Sequence, residues 1–198
     1  MELKQAIKNR RSFYSISSKS PIADEEIKSL IDTAVLSVPS AFNSQSTRLV
    51  LLLNEHHVRF WDIVKDTLKG IPDSKAFEGT KAKIENCFQA GYGTVLFFED
   101  QSIVKKLQEA FSLYKDNFPV WSNQTSAMHQ YAVWLMLEEA GFGASLQHYN
   151  PLIDNAVLNE WNLSPDWKLI AQMPFGAPTE QPGNKEVKPL DGRRFFFE

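Results

Sequence analysis

Two adjacent arginines and a serine stand near the start of the chain, in Asn9-Arg10-Arg11-Ser12-Phe13-Tyr14. Guanidinium groups offer paired donors to a phosphate, and a serine hydroxyl adds one more. Arginines at the end of a short helix also have a purely structural use, since they satisfy its free carbonyls. A second polar segment is Pro39-Ser40-Ala41-Phe42-Asn43-Ser44-Gln45-Ser46. Its hydroxyls and amides carry donors and acceptors together, which suits the mixed hydrogen-bonding edge of a heterocycle. An ordinary turn uses the same residue types. In the third segment, Ala140-Gly141-Phe142-Gly143-Ala144-Ser145, two glycines either let the backbone pass close to a flat ligand or end a helix. The fourth, Met173-Pro174-Phe175-Gly176-Ala177-Pro178, runs into a basic arm with Lys185, Lys188 and Arg193.

Other chemistries find no footing. There is no Ser-His-Asp arrangement, no His-Glu-x-x-His zinc motif and no Gly-x-x-x-x-Gly-Lys phosphate loop. The lone Cys87 excludes an internal disulfide and a multi-cysteine zinc site, so no metal is expected. His148 follows the glycine segment and is the candidate acid, with an interface histidine as the alternative reading.

The elements must bring these segments together within 198 residues. Leu3, Ala6 and Ile7 form a short helical stripe ending near Arg10. Asp24 is the expected N-cap of a helix whose buried face is Ile27, Leu30, Ile31, Ala34, Val35 and Val38, stopped by Pro39. Leu49–Leu53 reads as a buried strand. Val58, Trp61, Val64 and Leu68 mark a helix stopped by Gly70 and Pro72, and another helix follows near 74–90. Strands are expected at 94–98 and 168–175, with a helical stretch at 103–114 stopped near Pro119. The most apolar helix runs over about 123–140 and reads as buried on most sides, and a short one covers 153–161. Residues 176–192 read as an extended arm, and Arg194-Phe195-Phe196-Phe197 as a terminal strand. Helices packed on a mixed sheet, an α+β class, fit this order better than a doubly wound sheet. An arm of that length has no use inside one compact domain and points to function or a partner chain.

Charge adds a direction. The net charge is −3, from 21 basic and 24 acidic residues, too mild to argue for nucleic acid or a membrane surface. Yet residues 1–20 balance to +4, through Lys4, Lys8, Arg10, Arg11 and Lys19 against Glu2, and the arm holds four more cations. Cations at both ends of an acidic chain form an anion site if the fold joins the ends; solvated surface charge is the plainer alternative. With 43% hydrophobic residues, no apolar run long enough to span a membrane and no signal-like start, the sequence predicts a soluble cytoplasmic protein.

Taken together, the segments resemble the nitroreductase family of FMN-dependent oxidoreductases, and within it a short bacterial and fungal subgroup. The strings that carry the resemblance are the Arg-Arg-Ser-x-Tyr motif, Ser-Ala-Phe-Asn-Ser-Gln-Ser (40–46), Leu-Phe-Phe-Glu-Asp (96–100), Asp-Asn-Phe-Pro-Val-Trp-Ser (116–122) and Ala-Ser-Leu-Gln-His-Tyr-Asn-Pro (144–151). They run from about Leu3 to Arg193. The resemblance implies a nitroreductase-like sandwich with a mixed, mainly antiparallel sheet. It implies one FMN-binding domain over 1–198, with residues 176–198 as an arm exchanged in a homodimer and FMN held at the interface. By position, Arg10, Arg11 and Ser12 would hold the phosphate, with Tyr14 in the same motif and Lys188 or Arg193 assisting from the arm. Ser40, Asn43 and Gln45 would reach the flavin from the other subunit. Gly143, Ala144 and Ser145 would approach its redox edge, and His148 would modulate turnover without being essential.

The implied activity is two-electron transfer from NAD(P)H to a small aromatic acceptor, a nitroaromatic or quinone, in ping-pong fashion. No nucleic-acid or membrane partner is expected. Tyr14 stands where broader members often carry Arg or Lys that also helps bind the nucleotide, which leaves NADH against NADPH open. Lys83 and Asn86 are candidates for the flavin pyrimidine, and Phe42, Phe118 and Trp121 for the substrate wall. The alternative function is a flavin-binding regulator or carrier with little turnover.

Overall fold

The computed structural model describes residues 3–70 and 74–198. The helices are α1 (Leu3–Asn9), α2 (Asp24–Ser37), α3 (Asn54–Lys69), α4 (Ser74–Ile84), α5 (Gln101–Ala110), α6 (Phe118–Glu139) and α7 (Asp154–Glu160). The strands are β1 (Ile16–Ser17), β2 (Thr47–Leu53), β3 (Gly93–Asp100), β4 (Gly143–Ala144) and β5 (Trp167–Pro178). The sheet order is β1-β5-β3-β2, with β4 also on β5, and every pairing between these strands is antiparallel. A single parallel bridge, Ser12 to Ala144, ties the arginine motif to the sheet. The expected class, helices around a mainly antiparallel sheet, is the one the chain adopts.

All eight residues of β3 are buried, because helices cover both faces. Alternation along the strand sends Val95 and Phe97 into one core, with Ile27, Ile31, Val133 and Leu137 from α2 and α6. Leu96 and Phe98 face the other, with Phe60, Trp61, Val64 and Val157 from α3 and α7. Each fully buried large side chain is worth roughly 1.5–3 kcal/mol. Leu169 and Ala171 would share a face in a regular strand. A register shift opposite Phe97 and Phe98 instead sends one to each core.

Several boundaries differ from expectation for identifiable reasons. The helix at 24 is capped one residue earlier, at Ala23, whose N–H is held by the Glu26 carboxylate at 3.1 Å. Asp24 instead accepts a hydrogen bond from the Tyr92 hydroxyl. Pro72, one of the two expected stops of α3, lies outside the described residues, while Gly70 is its C-cap. Pro119 does not end a helix; it sits in the first turn of α6, where its missing N–H costs nothing, and the helix therefore begins at Phe118. Val120, Met128 and Tyr131 on α6 are exposed in the single chain, so this helix is not enclosed on most sides. Val35 of α2, expected inside, is also exposed. The expected strand at 194–197 is absent: Phe195, Phe196 and Phe197 are 70, 71 and 95% exposed.

Candidate functional site

The arginine motif leaves α1 as an extended segment pinned to β4, with the Phe13 N–H donating to the Ala144 carbonyl at 3.0 Å. Glycine is required at 143 because a Cβ there would meet Phe13 at 2.8 Å. Its small size thus serves the chain's own packing. Gly141, at φ +89°, turns the chain out of α6. Gly143, Ala144 and Ser145 are all buried, and the Ser145 N–H is spent on the Pro174 carbonyl at 3.2 Å.

Beside the motif lies an open cleft of about 570 Å³, lined by residues 10–15 and 180–185, which Gly143, Ala144 and Ser145 do not line. It gathers Arg10, Arg11, Ser12, Tyr14 and one arm cation, Lys185. The joining of the two cationic ends is therefore real, but Lys188 and Arg193 do not line the cleft. They are tied to each other, Arg193 donating to the Lys188 carbonyl at 3.0 Å. The arm folds back over the motif: Arg11 donates to the Gly183 carbonyl at 2.7 Å and Ser15 to Glu180 at 3.0 Å. The Arg10 guanidinium lies 4.4 Å from the Trp134 ring centre, an orienting cation–π contact. Burial raises the nearby Glu138 carboxyl above its ordinary pKa, and Arg10 opposes that in part. The Lys83 ammonium stands 5.4 Å from the Tyr14 ring, so this pyrimidine candidate adjoins the cleft, and Asn86 is exposed. The donors fit a phosphate: two guanidiniums, an ammonium and a hydroxyl face one opening.

The polar loop stands elsewhere. Phe42, Asn43 and Gln45 have φ of 56°, 50° and 48°, left-handed values that cost a non-glycine residue roughly 1–3 kcal/mol each. Many bonds hold them there. Gln45 N–H donates to Ser40 Oγ at 3.0 Å, Arg48 Nη1 donates to the Gln45 carbonyl at 2.7 Å, and Asp100 N–H donates to the Ser46 carbonyl at 2.9 Å. Arg48 also pairs with Asp100 at 3.1 Å. Burial works to raise the Asp100 carboxyl, but hydrogen bonds from Ser102 and the Arg48 charge outweigh it and hold the group below the usual range. Phe42 is 51% exposed at the centre of an aromatic cluster, stacked on Trp121 at 5.9 Å and edge-on to Phe118 at 5.3 Å. The three wall candidates thus meet, joined by Phe111 and Tyr114.

The polar loop and the arginine motif stand far apart within one chain. The loop enters the sheet where Thr47 pairs with Glu99, and the arginine motif adjoins the end where Gly93 pairs with Phe175. At about 3.3 Å per residue those ends are roughly 20 Å apart along β3. They also lie on opposite sides of the sheet, because β1 and β2 are its outer strands. His148 is exposed beyond β4, and no hydrogen bond from the described residues orients its ring. Among the described residues no cluster of His, Cys, Asp and Glu can hold a metal, and no helix is long and apolar enough to cross a membrane.

Sequence reasoning passed over Glu99, which is fully buried and accepts hydrogen bonds from Ser46, Thr47 and Ser122. The available signal was a carboxylate inside an otherwise apolar strand, Leu-Phe-Phe-Glu-Asp. It also passed over Lys185 as the cation in the cleft, which was one of four in the arm.

The chain therefore combines a mainly antiparallel sheet between helical layers with an anion cleft at one end and a polar, aromatic-walled loop at the other. The chain belongs to the Nitroreductase family, which its residues 7–177 match, and is thereby an oxidoreductase. It is similar to nitroreductase CinD from Lactococcus lactis in complex with nicotinic acid, at 43% identity and a TM-score of 0.91, with 100% of both chains covered. The CinD complex with 4-nitrophenol gives 41% and 0.89 over the same coverage. Nitroreductase FRM2 of Saccharomyces cerevisiae is 33% identical over 182 residues, 91% of this chain and 90% of the yeast protein.

Proposed function

We propose that this chain is an FMN-dependent oxidoreductase. It passes two electrons from NAD(P)H to nitroaromatics or quinones in a ping-pong cycle, as a cytoplasmic homodimer of single-domain chains. The observation that carries the reading is the split site: a phosphate-type donor set and a polar loop stand at opposite ends of one sheet, an arrangement that a ligand held between two chains would bring together. The relatives' names and their nicotinate and nitrophenol ligands agree with the donor and acceptor classes.

FMN, when bound, supplies the two-electron chemistry, so the chain needs no nucleophile of its own. Arg10, Arg11, Ser12 and Lys185 hold the phosphate, with Lys188 and Arg193 available from the arm. Tyr14 and Lys83 line the adjoining surface. Ser40, Asn43 and Gln45 of the second chain meet the heterocycle's polar edge. The Gly143–Ser145 segment supports the motif from beneath, and Phe42, Phe118 and Trp121 wall an apolar acceptor space that excludes water. His148 modulates turnover at most.

The test is binding followed by anaerobic titration. FMN should bind more tightly than riboflavin, and Arg10→Ala or Arg11→Ala should weaken FMN about ten- to a hundredfold, the worth of one charge-assisted hydrogen bond. NADH or NADPH should bleach the bound cofactor, and a nitroaromatic should restore its absorbance. Equal affinity for riboflavin and FMN would sink the phosphate assignment. Full FMN loading with no turnover on any nitro or quinone acceptor would favour a flavin-binding regulator or carrier.

A further inference from the structure

Three of the strings that carry the family resemblance, 40–46, 96–100 and 116–122, meet at one side chain to which the proposed function gives no task. Glu99 is 0% exposed. Its Oε2 accepts from the Ser46 hydroxyl at 2.6 Å and the Ser122 hydroxyl at 2.7 Å, and its Oε1 accepts from the Thr47 hydroxyl at 2.5 Å. Ser46 in turn stands 3.4 Å from the Ser44 hydroxyl.

We propose that Glu99 is the positioning residue of the flavin-facing loop, its carboxyl fastening the end of the Ser40–Ser46 loop and the aromatic wall of α6 to the central strand. The inference rests on the reading that this loop meets the flavin. A carboxyl deep in an apolar core is costly to bury, and its described partners are hydroxyls alone. If shape were all the site required, an apolar residue would serve better on a strand that otherwise reads Val-Leu-Phe-Phe. What the carboxyl adds is acceptor capacity on two oxygens, enough for three donors fixed in space. Those donors are well chosen. Ser46 ends the loop, Thr47 begins β2, and Ser122 follows Trp121, on which Phe42 stacks.

The loop needs such an anchor because three of its residues hold left-handed backbone conformations, which persist only when the surroundings over-determine them. The packing beneath is close: Ser44 and Ser46 face Leu107, Trp121 and Ser122 across a cavity of about 10 Å³. With the loop fixed in advance, Asn43 and Gln45 need not be ordered when a ligand arrives.

The experiment compares full-length wild-type protein with Glu99→Gln, Ser122→Ala and Thr94→Val. The amide of Glu99→Gln keeps the shape but replaces one acceptor oxygen with a donor, so at least one hydroxyl proton loses its acceptor. Thr94→Val is the control. It empties a buried network on the opposite face, where Thr94 accepts from Trp61 and meets His57. Amide hydrogen exchange at Asn43, Ser44 and Gln45 is read without ligand, and the FMN dissociation constant is read by fluorescence. Glu99→Gln should speed exchange at these amides and weaken FMN, each about tenfold. Ser122→Ala should give a smaller change of the same kind, which keeps the idea testable if the glutamine variant does not fold. Thr94→Val should lower the melting temperature and leave both readouts unmoved. Unchanged exchange in Glu99→Gln and Ser122→Ala, or an equal rise in Thr94→Val, overturns the inference. If the wild type itself does not bind FMN, the proposed function fails, while faster exchange in Glu99→Gln would still support the hold of Glu99 on the loop.

Discussion

At the scale of single residues, a buried histidine has a consequence for stability. His57 is enclosed between α3 and β3. Trp61 Nε1–H can only donate, and it uses Thr94 Oγ1 at 3.0 Å. The Gln89 carbonyl can only accept, so His57 Nε2–H donates to it at 3.2 Å, and in the neutral ring Nδ1 then accepts the Thr94 hydroxyl proton at 2.8 Å. This arrangement suits the neutral ring. Burial lowers its pKa from 6.5 to about 4, against a small opposing effect of the Gln89 carbonyl. The unfolded chain thus binds a proton that the folded chain refuses between those values. Stability from this group is complete above pH 6.5 and is lost as pH falls toward 4, by up to about 3 kcal/mol. Melting temperatures measured from pH 7.5 to 4.5 should fall across that window, and His57→Gln should flatten the fall. An equal slope in both proteins would assign acid sensitivity elsewhere. Neither His57 nor Glu99 was legible in the sequence, and for one reason. Their surroundings come from segments far away in the chain, Thr94 and Gln89 for one, Ser46 and Ser122 for the other. Arg10, Arg11 and Ser12 were legible because their chemistry lies in three adjacent side chains.

At the scale of elements, the two glycines after α6 look alike in sequence and do different things. Gly141 has φ +89° with only Pro21 near a would-be Cβ, at 3.6 Å. Gly143 has ordinary backbone angles but no room, since its Cβ would meet the Phe13 Cβ and Cγ at 2.8 Å. Gly141→Ala should therefore cost about 1–2 kcal/mol of backbone strain and leave the cleft in place. Gly143→Ala pushes on the segment that carries Arg11, Ser12 and Tyr14. Overpacking of this kind costs typically 1–3 kcal/mol, so FMN affinity should fall about tenfold with the melting temperature. Calorimetry with a flavin titration on both variants checks it, and equal FMN affinities would show that Phe13 does not transmit the push. Short continuous apolar runs located the long strands, and sequence periodicity located the long helices, because their faces repeat. It misplaced the start of α6, since Pro119 serves as well in a first turn as after a last one. It also could not see β1 and β4, two residues each, which exist only because β5 lies beside them.

At the scale of the whole molecule, the arm, the sheet edge and one side of α6 bear on the proposed dimer. β5 ends at Pro178, where Ile16 pairs with it, so the arm proper follows that pair. Its first part covers the cleft through Arg11 and Ser15, and its last part leaves three phenylalanines in water. β2 pairs with β3 on one side and is the outer strand of the sheet, an edge that invites another strand. Val120, Met128 and Tyr131 add an exposed apolar side to α6. Burying three phenylalanines contributes about 5–9 kcal/mol at roughly 1.5–3 kcal/mol each, which is several powers of ten in a dimer dissociation constant. Deleting residues 180–198 spares the β1–β5 pairing and removes Lys185 and all three rings. If each flavin site takes its phosphate donors from one chain and Asn43 and Gln45 from the other, dimerisation and FMN binding should vanish together, although Arg10, Arg11 and the loop remain. Replacing Phe195, Phe196 and Phe197 with serine should do the same while keeping Lys185 in the cleft, which separates loss of the dimer from loss of a cation. Light scattering gives the mass and flavin fluorescence gives the affinity. A monomer that still binds FMN at full strength would refute the shared site, and a dimer that survives the deletion would refute the arm as its clamp.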